Sequence, residues 1–177
     1  MSEPIIPDFG GGKSSGAGER KIAFICSKGN LDMAYPALIM GNAALGEGIE
    51  THLFFTFWGL DMVTKGRMEH LKFTMLANTA MHMPQAPNMP IPSFLGGIPG
   101  MTKMATNMMR KQIADLDVPT VPEMLQQMVD MGAHLWACRM TFDMLKLTKE
   151  QMFEGVEDVI SATDFIEISE GAQIIFI

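Results

Sequence analysis

Two short apolar runs separated by one amphipathic stretch constrain this chain more than any other feature. Lys21-Ile-Ala-Phe-Ile-Cys26 is entered from a charged flank and broken by Ser27-Lys28-Gly29-Asn30, which reads as a buried strand and its turn. Leu31, Ala34, Leu38, Ala43 and Leu45 then supply a helical apolar face up to Gly46 and Gly48, with Asn30 or Asp32 as the cap and Pro36 tolerated in the first turns. Glu50 to Phe57 reads as a second strand, followed by a break at Trp58-Gly59. Strand, helix and strand with short connections form a βαβ unit, so the sheet is parallel and helices lie on its faces.

The same alternation returns toward the end of the chain. The pattern predicts a helix over Pro122–Met131, a strand over Ala133–Cys138 and a helical stretch over Phe142–Phe153 broken by a cap-like Thr148-Lys-Glu-Gln151. A short strand over Asp158–Ile160, a helix over Ser161–Ser169 capped by Ser161, and a last strand over Ala172–Ile177 follow. The fold class is therefore α/β: three layers, α/β/α, around a mostly parallel, doubly wound sheet of about five strands. A length of 177 residues and 47% hydrophobic content suit one domain with a substantial core.

That domain is expected to span residues 21–177, after a flexible Gly/Ser-rich tail over residues 1–20. Gly12-Lys13-Ser14 in the tail mimics the end of a phosphate-binding loop, but Pro7 stands where the first glycine belongs and no strand precedes it. An insertion at about residues 66–117 interrupts the two halves, and residues 73–102 within it contain no Asp, Glu, Lys or Arg and are rich in Met and Pro. Pro84, Pro87, Pro90, Pro92 and Pro99 forbid a continuous membrane-spanning helix there. The expected use of this uncharged stretch is self-association into a homo-oligomer, ahead of docking a partner or peripheral membrane contact.

Charge and cysteine usage narrow the function. A net charge of −7 leaves no basic stripe for nucleic acid. Two cysteines, Cys26 and Cys138, are too few for a disulfide scaffold and lack zinc-site spacing. The start Met-Ser-Glu-Pro has no basic and apolar secretory pattern, so a cytoplasmic location is expected.

The chemistry-bearing residue is Cys138, where an apolar run ends and a helical pattern begins. Unpaired N–H groups and the helix dipole favour an anion there, Arg139 adds a positive charge, and the Thr141 hydroxyl can cap the helix or donate to sulfur. The competing reading is a small buried hydrophobe at a strand end. Cys26 also closes a strand, so both thiols belong at the carboxyl edge of the sheet and approach one another only if their strands are neighbours. Trp58, Gly59 and Leu60 lie at the same edge, as an aromatic wall or a core plug.

Other chemistries lack their residues. There is no Gly-x-Ser-x-Gly elbow, and Cys26-Ser-Lys-Gly-Asn-Leu holds too few glycines for a dinucleotide. Met81-His82-Met83 with Met89 offers soft donors for Cu(I), but methionine fills irregular interfaces throughout this chain, so no metal and no cofactor are expected. His52 and His70 read as ordinary polar positions, and His134 faces either solvent or the site.

Three blocks carry a resemblance: Ile25-Cys-Ser-Lys-Gly-Asn-Leu-Asp-Met-Ala-Tyr35, Leu53-Phe-Phe-Thr-Phe-Trp-Gly-Leu60 and Trp136-Ala-Cys-Arg-Met-Thr141. Over residues 21–177 the chain resembles the DsrE/DsrF/DsrH sulfur-relay superfamily, in its larger DsrE-like branch with a long Met-rich insertion. The resemblance implies a compact α/β homo-oligomer that passes sulfane sulfur as a cysteine persulfide. The family's sulfur-carrying cysteine matches Cys138, and Cys26 matches a second cysteine of this branch. Several members carry Ser three residues after the reactive cysteine, where Thr141 keeps the hydroxyl. A peroxidatic site wants Pro and Thr ahead of the cysteine, and Trp136-Ala137-Cys138 supplies neither.

The resulting expectation is a sulfur carrier or sulfurtransferase in which Cys138 takes sulfane sulfur from a donor protein or small molecule and yields it to an acceptor thiol. Arg139 and the helix N-terminus would stabilise the anion, Thr141 would donate a hydrogen bond, and Cys26 would share or resolve the sulfur. The alternatives are a non-catalytic oligomeric adaptor and a thiol redox sensor using Cys26 and Cys138.

Overall fold

The structure is a computed structural model, and its described residues are 20–73, 82–83, 86–90 and 97–177, with the backbone alone described for 82–83 and 86–90. The expected tail falls almost entirely outside them, as does much of the uncharged stretch.

The first βαβ unit forms where the sequence places it. Strand β1 (Lys21–Cys26) leads to helix α1 (Leu31–Gly46), which carries Pro36 in its second turn, and then to β2 (Glu50–Phe55). β2 ends two residues earlier than expected. The chain then turns into a 3₁₀ helix over Phe57–Val63, after Phe57 takes a left-handed φ of 46°. Within the insertion, β3 (His82–Met83) and β4 (Ala86–Pro90) pair antiparallel, and α2 (Met101–Asp115) follows. Helix α3 (Val121–Asp130) opens on a capping box between Thr120 and Glu123.

The second half is β5 (His134–Cys138), α4 (Arg139–Met144), β6 (Val156–Ile160), α5 (Ala162–Ile168) and β7 (Gln173–Phe176). The helical stretch expected over Phe142–Phe153 is broken at Thr148 as its sequence predicts, but its first part starts and stops earlier than expected. α4 starts at Arg139 directly off the strand and stops before Lys146, which takes a φ of 52°. The cap-like Thr148 to Gln151 begins a separate 3₁₀ turn. Ser161 caps α5 as its sequence predicts, accepting a hydrogen bond from the Asp164 N–H.

The five strands form one all-parallel sheet in the order β6-β5-β2-β1-β7. Pairing register and strand alternation divide its side chains between two faces. One face carries Ile22, Phe24 and Cys26 beside Thr51, Leu53 and Phe55, then Leu135 and Ala137, all at most 9% exposed. α1 and α3 cover it, and Gly41 of α1 lets Met128 of α3 close over Thr51. The opposite face carries His52 and Phe54 beside His134, Trp136 and Cys138, and α5 crosses it with Phe165 stacked on Phe54 at 4.4 Å between ring centroids. These layers make the three-layer α/β/α architecture. Toward β7 the second face stays open, where Ile174 and Phe176 are 54% and 69% exposed. Among the described residues no helix is long and apolar enough to cross a membrane.

Candidate functional site

Cys138 is the last residue of β5 and the N-cap of α4, so its sulfur sits where strand hydrogen bonding stops and helical N–H groups begin. It is 5% exposed. Burial alone would push the thiol up, but hydrogen bonds from the Thr56 and Thr141 hydroxyls and from the Met140 and Thr141 backbone N–H groups outweigh it and hold the pKa below the ordinary value. Four donors thus converge on one sulfur.

Proton bookkeeping explains how Thr141 is aimed. The Phe57 N–H donates to Thr141 Oγ1 at 3.0 Å, which occupies an acceptor position and leaves the hydroxyl proton for the sulfur. Thr56 Oγ1 lies 3.4 Å from Thr141 Oγ1, so the two hydroxyls flank the sulfur as a pair. Thr141 is completely buried, and its side chain cannot relax into solvent instead. The left-handed Phe57 turns the chain so that its N–H meets Thr141 while its ring faces outward, 46% exposed. Met140, Met144 and Trp58 are likewise exposed, which gives α4 and the 3₁₀ helix after β2 an apolar collar.

Thr56 was not among the residues singled out in the sequence. Its signal is a hydroxyl following an apolar strand run, and its relevance depends on β2 lying beside β5, which no local pattern reveals.

Arg139 is placed differently from expectation. Its guanidinium donates to the Val159 carbonyl of β6 and lies near Asp158 and Asp164, so it clamps the neighbouring strand. The cause is local geometry: the first residue of α4 projects toward β6, the strand paired with β5.

Nor does the fold bring the two cysteines together. Cys26 pairs with Phe55 and Phe55 with Ala137, so β2 separates the thiols and Cys138, one residue on, points to the opposite face. Two strand spacings put the Cα atoms about 10 Å apart, beyond the roughly 7 Å that a disulfide spans. Cys26 is 1% exposed among apolar neighbours, and burial pushes its thiol up to about 12. Both cysteines are free.

Residues 18–177 match the sequence profile of the DsrE/DsrF/DrsH-like family. The chain belongs to this family. It is 33% identical over 147 residues to the Sulfur carrier protein DsrE2 of Allochromatium vinosum, covering 83% of this chain and 91% of that protein. It is also 28% identical over 166 residues to the uncharacterized protein YrkE of Bacillus subtilis, covering 89% and 97% respectively. Among solved structures, the protein MTH1491 of Methanobacterium thermoautotrophicum, of unknown function, shares the fold with a TM-score of 0.54 and 9% identity over 89% of this chain and 99% of that one.

A second polar cluster occupies the amino ends of the same strands. His52 and His134 stack with ring centroids 4.7 Å apart, and Glu50, His52 and His134 have ligand-type atoms within 4.8 Å of one another. The hydrogen bonds decide against a metal there. Trp136 Nε1–H donates to His52 Nδ1 at 3.2 Å, which places the neutral ring's proton on Nε2, where it meets Glu50 at 2.7 Å. Metal binding through Nε2 needs the other tautomer. His134 Nδ1 meets Glu157 at 2.6 Å, a carboxylate brought into reach by the irregular register between β5 and β6. His52 is therefore the centre of a buried network, not the ordinary polar position its sequence context suggested. The soft donors Met81 to Met89, from which no metal was expected, fall outside the residues whose side chains are described.

Proposed function

We propose that this chain is a sulfur carrier in which Cys138 holds sulfane sulfur as a persulfide and passes it to an acceptor thiol. The observation that carries this reading is the convergence of four hydrogen-bond donors on the Cys138 sulfur, which favours the thiolate at a position that burial would otherwise leave inert. Its membership of the DsrE/DsrF/DrsH-like family and the name of its Allochromatium vinosum relative support the same reading.

The reaction balances without a redox partner. Cys138 thiolate attacks the outer sulfur of a donor persulfide R–S–SH, the new S–S bond forms as the old one breaks, and R–S⁻ leaves. In the reverse sense an acceptor thiolate attacks the outer sulfur of Cys138–S–SH and releases Cys138 with its four donors in place. The donors lower the thiolate's basicity, which makes Cys138 a good leaving group for delivery. Thr56 and Thr141 orient the sulfur, and Arg139 acts only through the strand it clamps.

Partner proteins approach through the collar of Phe57, Trp58, Met140 and Met144, and the open face at Ile174 and Phe176 suits self-association in a cytoplasmic homo-oligomer. Cys26 takes no part in the transfer in this reading. A disulfide sensor has no support in the positions of the two thiols.

Incubation with inorganic polysulfide followed by intact mass measurement tests the proposal. Wild type gains a sulfur-sized increment that a small acceptor thiol removes, and Cys138→Ser gains none. Equal uptake by Cys138→Ser sinks it.

A further inference from the structure

Two adjoining cavities lie beside the carboxyl ends of β1 and β2. The larger, of about 550 Å³, has Trp58 as one wall and Arg67, His70 and Lys72 as another. The second, of about 430 Å³, shares His70, Lys72 and Thr102 with the first and adds Lys103 and Arg110. Each falls in the size range of small-molecule sites.

Their charge runs against that of the whole molecule. A chain of net charge −7 lines this pair with Arg67, Lys72, Lys103 and Arg110, plus His70, and, among the described residues, with a single carboxylate, Asp61. Arg67 holds Asp61 at 2.8 Å, whereas among the described residues Lys72, Lys103 and His70 face no carboxylate within ion-pair distance. Arg110 donates to the Glu69 and Leu71 carbonyls, which fixes its charge at the rim. The cavity wall is firm at Trp58. A Cβ at Gly29 would stand 2.3 Å from the Trp58 carbonyl oxygen, so the loop after β1 packs directly against Trp58. Trp58 is two residues from Thr56, whose hydroxyl meets the Cys138 sulfur, so the Cα atoms of Thr56 and Trp58 lie within about 7 Å.

We infer that this cationic cavity pair binds a polyanionic low-molecular-weight thiol, whose persulfide exchanges sulfur with Cys138. The purpose of the site rests on the carrier reading above; its binding does not. The anionic groups meet Arg67, Lys72 and Lys103, and Trp58 supplies an apolar wall two residues along the chain from Thr56. The exchange is the balanced step already given: Cys138–S⁻ and R–S–SH become Cys138–S–SH and R–S⁻. Carboxylates and phosphates satisfy these cations equally, so glutathione and coenzyme A are the two probes.

Calorimetric titration of the Cys138→Ser protein isolates binding from chemistry. At low salt at least one of the two thiols binds saturably, neutral 2-mercaptoethanol does not, and Lys72→Glu with Lys103→Glu weakens the polyanion at least tenfold while circular dichroism stays unchanged. Absence of saturable binding by both, or equal binding by the charge-reversed protein, overturns the inference. A second arm treats wild type with inorganic polysulfide and with the persulfide of the thiol that binds. Uptake from polysulfide without polyanion binding removes the cavity and keeps the carrier; polyanion binding without any sulfur uptake removes the carrier and keeps the cavity.

Discussion

Thr141 carries more of the thiol's chemistry than the arginine beside it. Its hydroxyl is fixed by the Phe57 N–H and aimed at sulfur, so Thr141→Val, which keeps the shape and loses the donor, removes a charge-assisted hydrogen bond of about 1.5–3 kcal/mol. The expected result is a Cys138 thiol pKa raised above that of wild type, read from the pH dependence of iodoacetamide labelling, with Thr141→Ser near wild type. A Thr141→Val labelling profile that matches wild type would remove Thr141 from the site. The role of Thr141 was legible because it sits three residues after Cys138 on the same helical turn. That of Thr56 was not, since it arrives through a strand pairing distant in sequence. Cys26 and Cys138 look alike as strand-ending thiols in the sequence, and a difference of one position in cross-strand register sends them to opposite faces.

At the level of elements, the junctions hold the site in place. A Cβ on Gly59 would stand 2.0 Å from the Cys26 carbonyl oxygen, so the 3₁₀ helix after β2 can lie against the end of β1 only with glycine there. Gly59→Ala is expected to cost about 3 kcal/mol or more, and the check is the urea midpoint. Arg139→Ala loses its bond to Val159 and is expected to cost about 1 kcal/mol while leaving the Cys138 labelling rate within a factor of two. A large fall in that rate would return Arg139 to the sulfur. The strands and the caps at Thr148 and Ser161 were readable because their signals are local. The early stop of α4 and the 3₁₀ helix at Phe57–Val63 were not, because positive φ at Lys146 and Phe57 follows from packing.

For the whole molecule, titration sets the pH range of stability. Burial lowers the His52 pKa, only partly offset by Glu50, so the unfolded chain binds the extra proton and stability falls as pH drops below about 6.5. Burial raises Cys26 to about 12, so on the alkaline side the unfolded chain loses its proton first and stability declines from about pH 8.5 upward. Urea melts across pH should show both limbs, and Cys26→Ala should flatten the alkaline one. The three-layer sheet was legible as a class, whereas its strand order was not: β2 comes to lie between β1 and β5, and that long-range choice separates the two cysteines. The central claim is that one thiol, Cys138, carries the sulfur. Peptide mass mapping after brief exposure to a sulfane donor and alkylation tests it most directly: the account predicts an alkylated persulfide on the Cys138 peptide with Cys26 unmodified until the protein is unfolded, and a persulfide on the Cys26 peptide of the folded protein would contradict it.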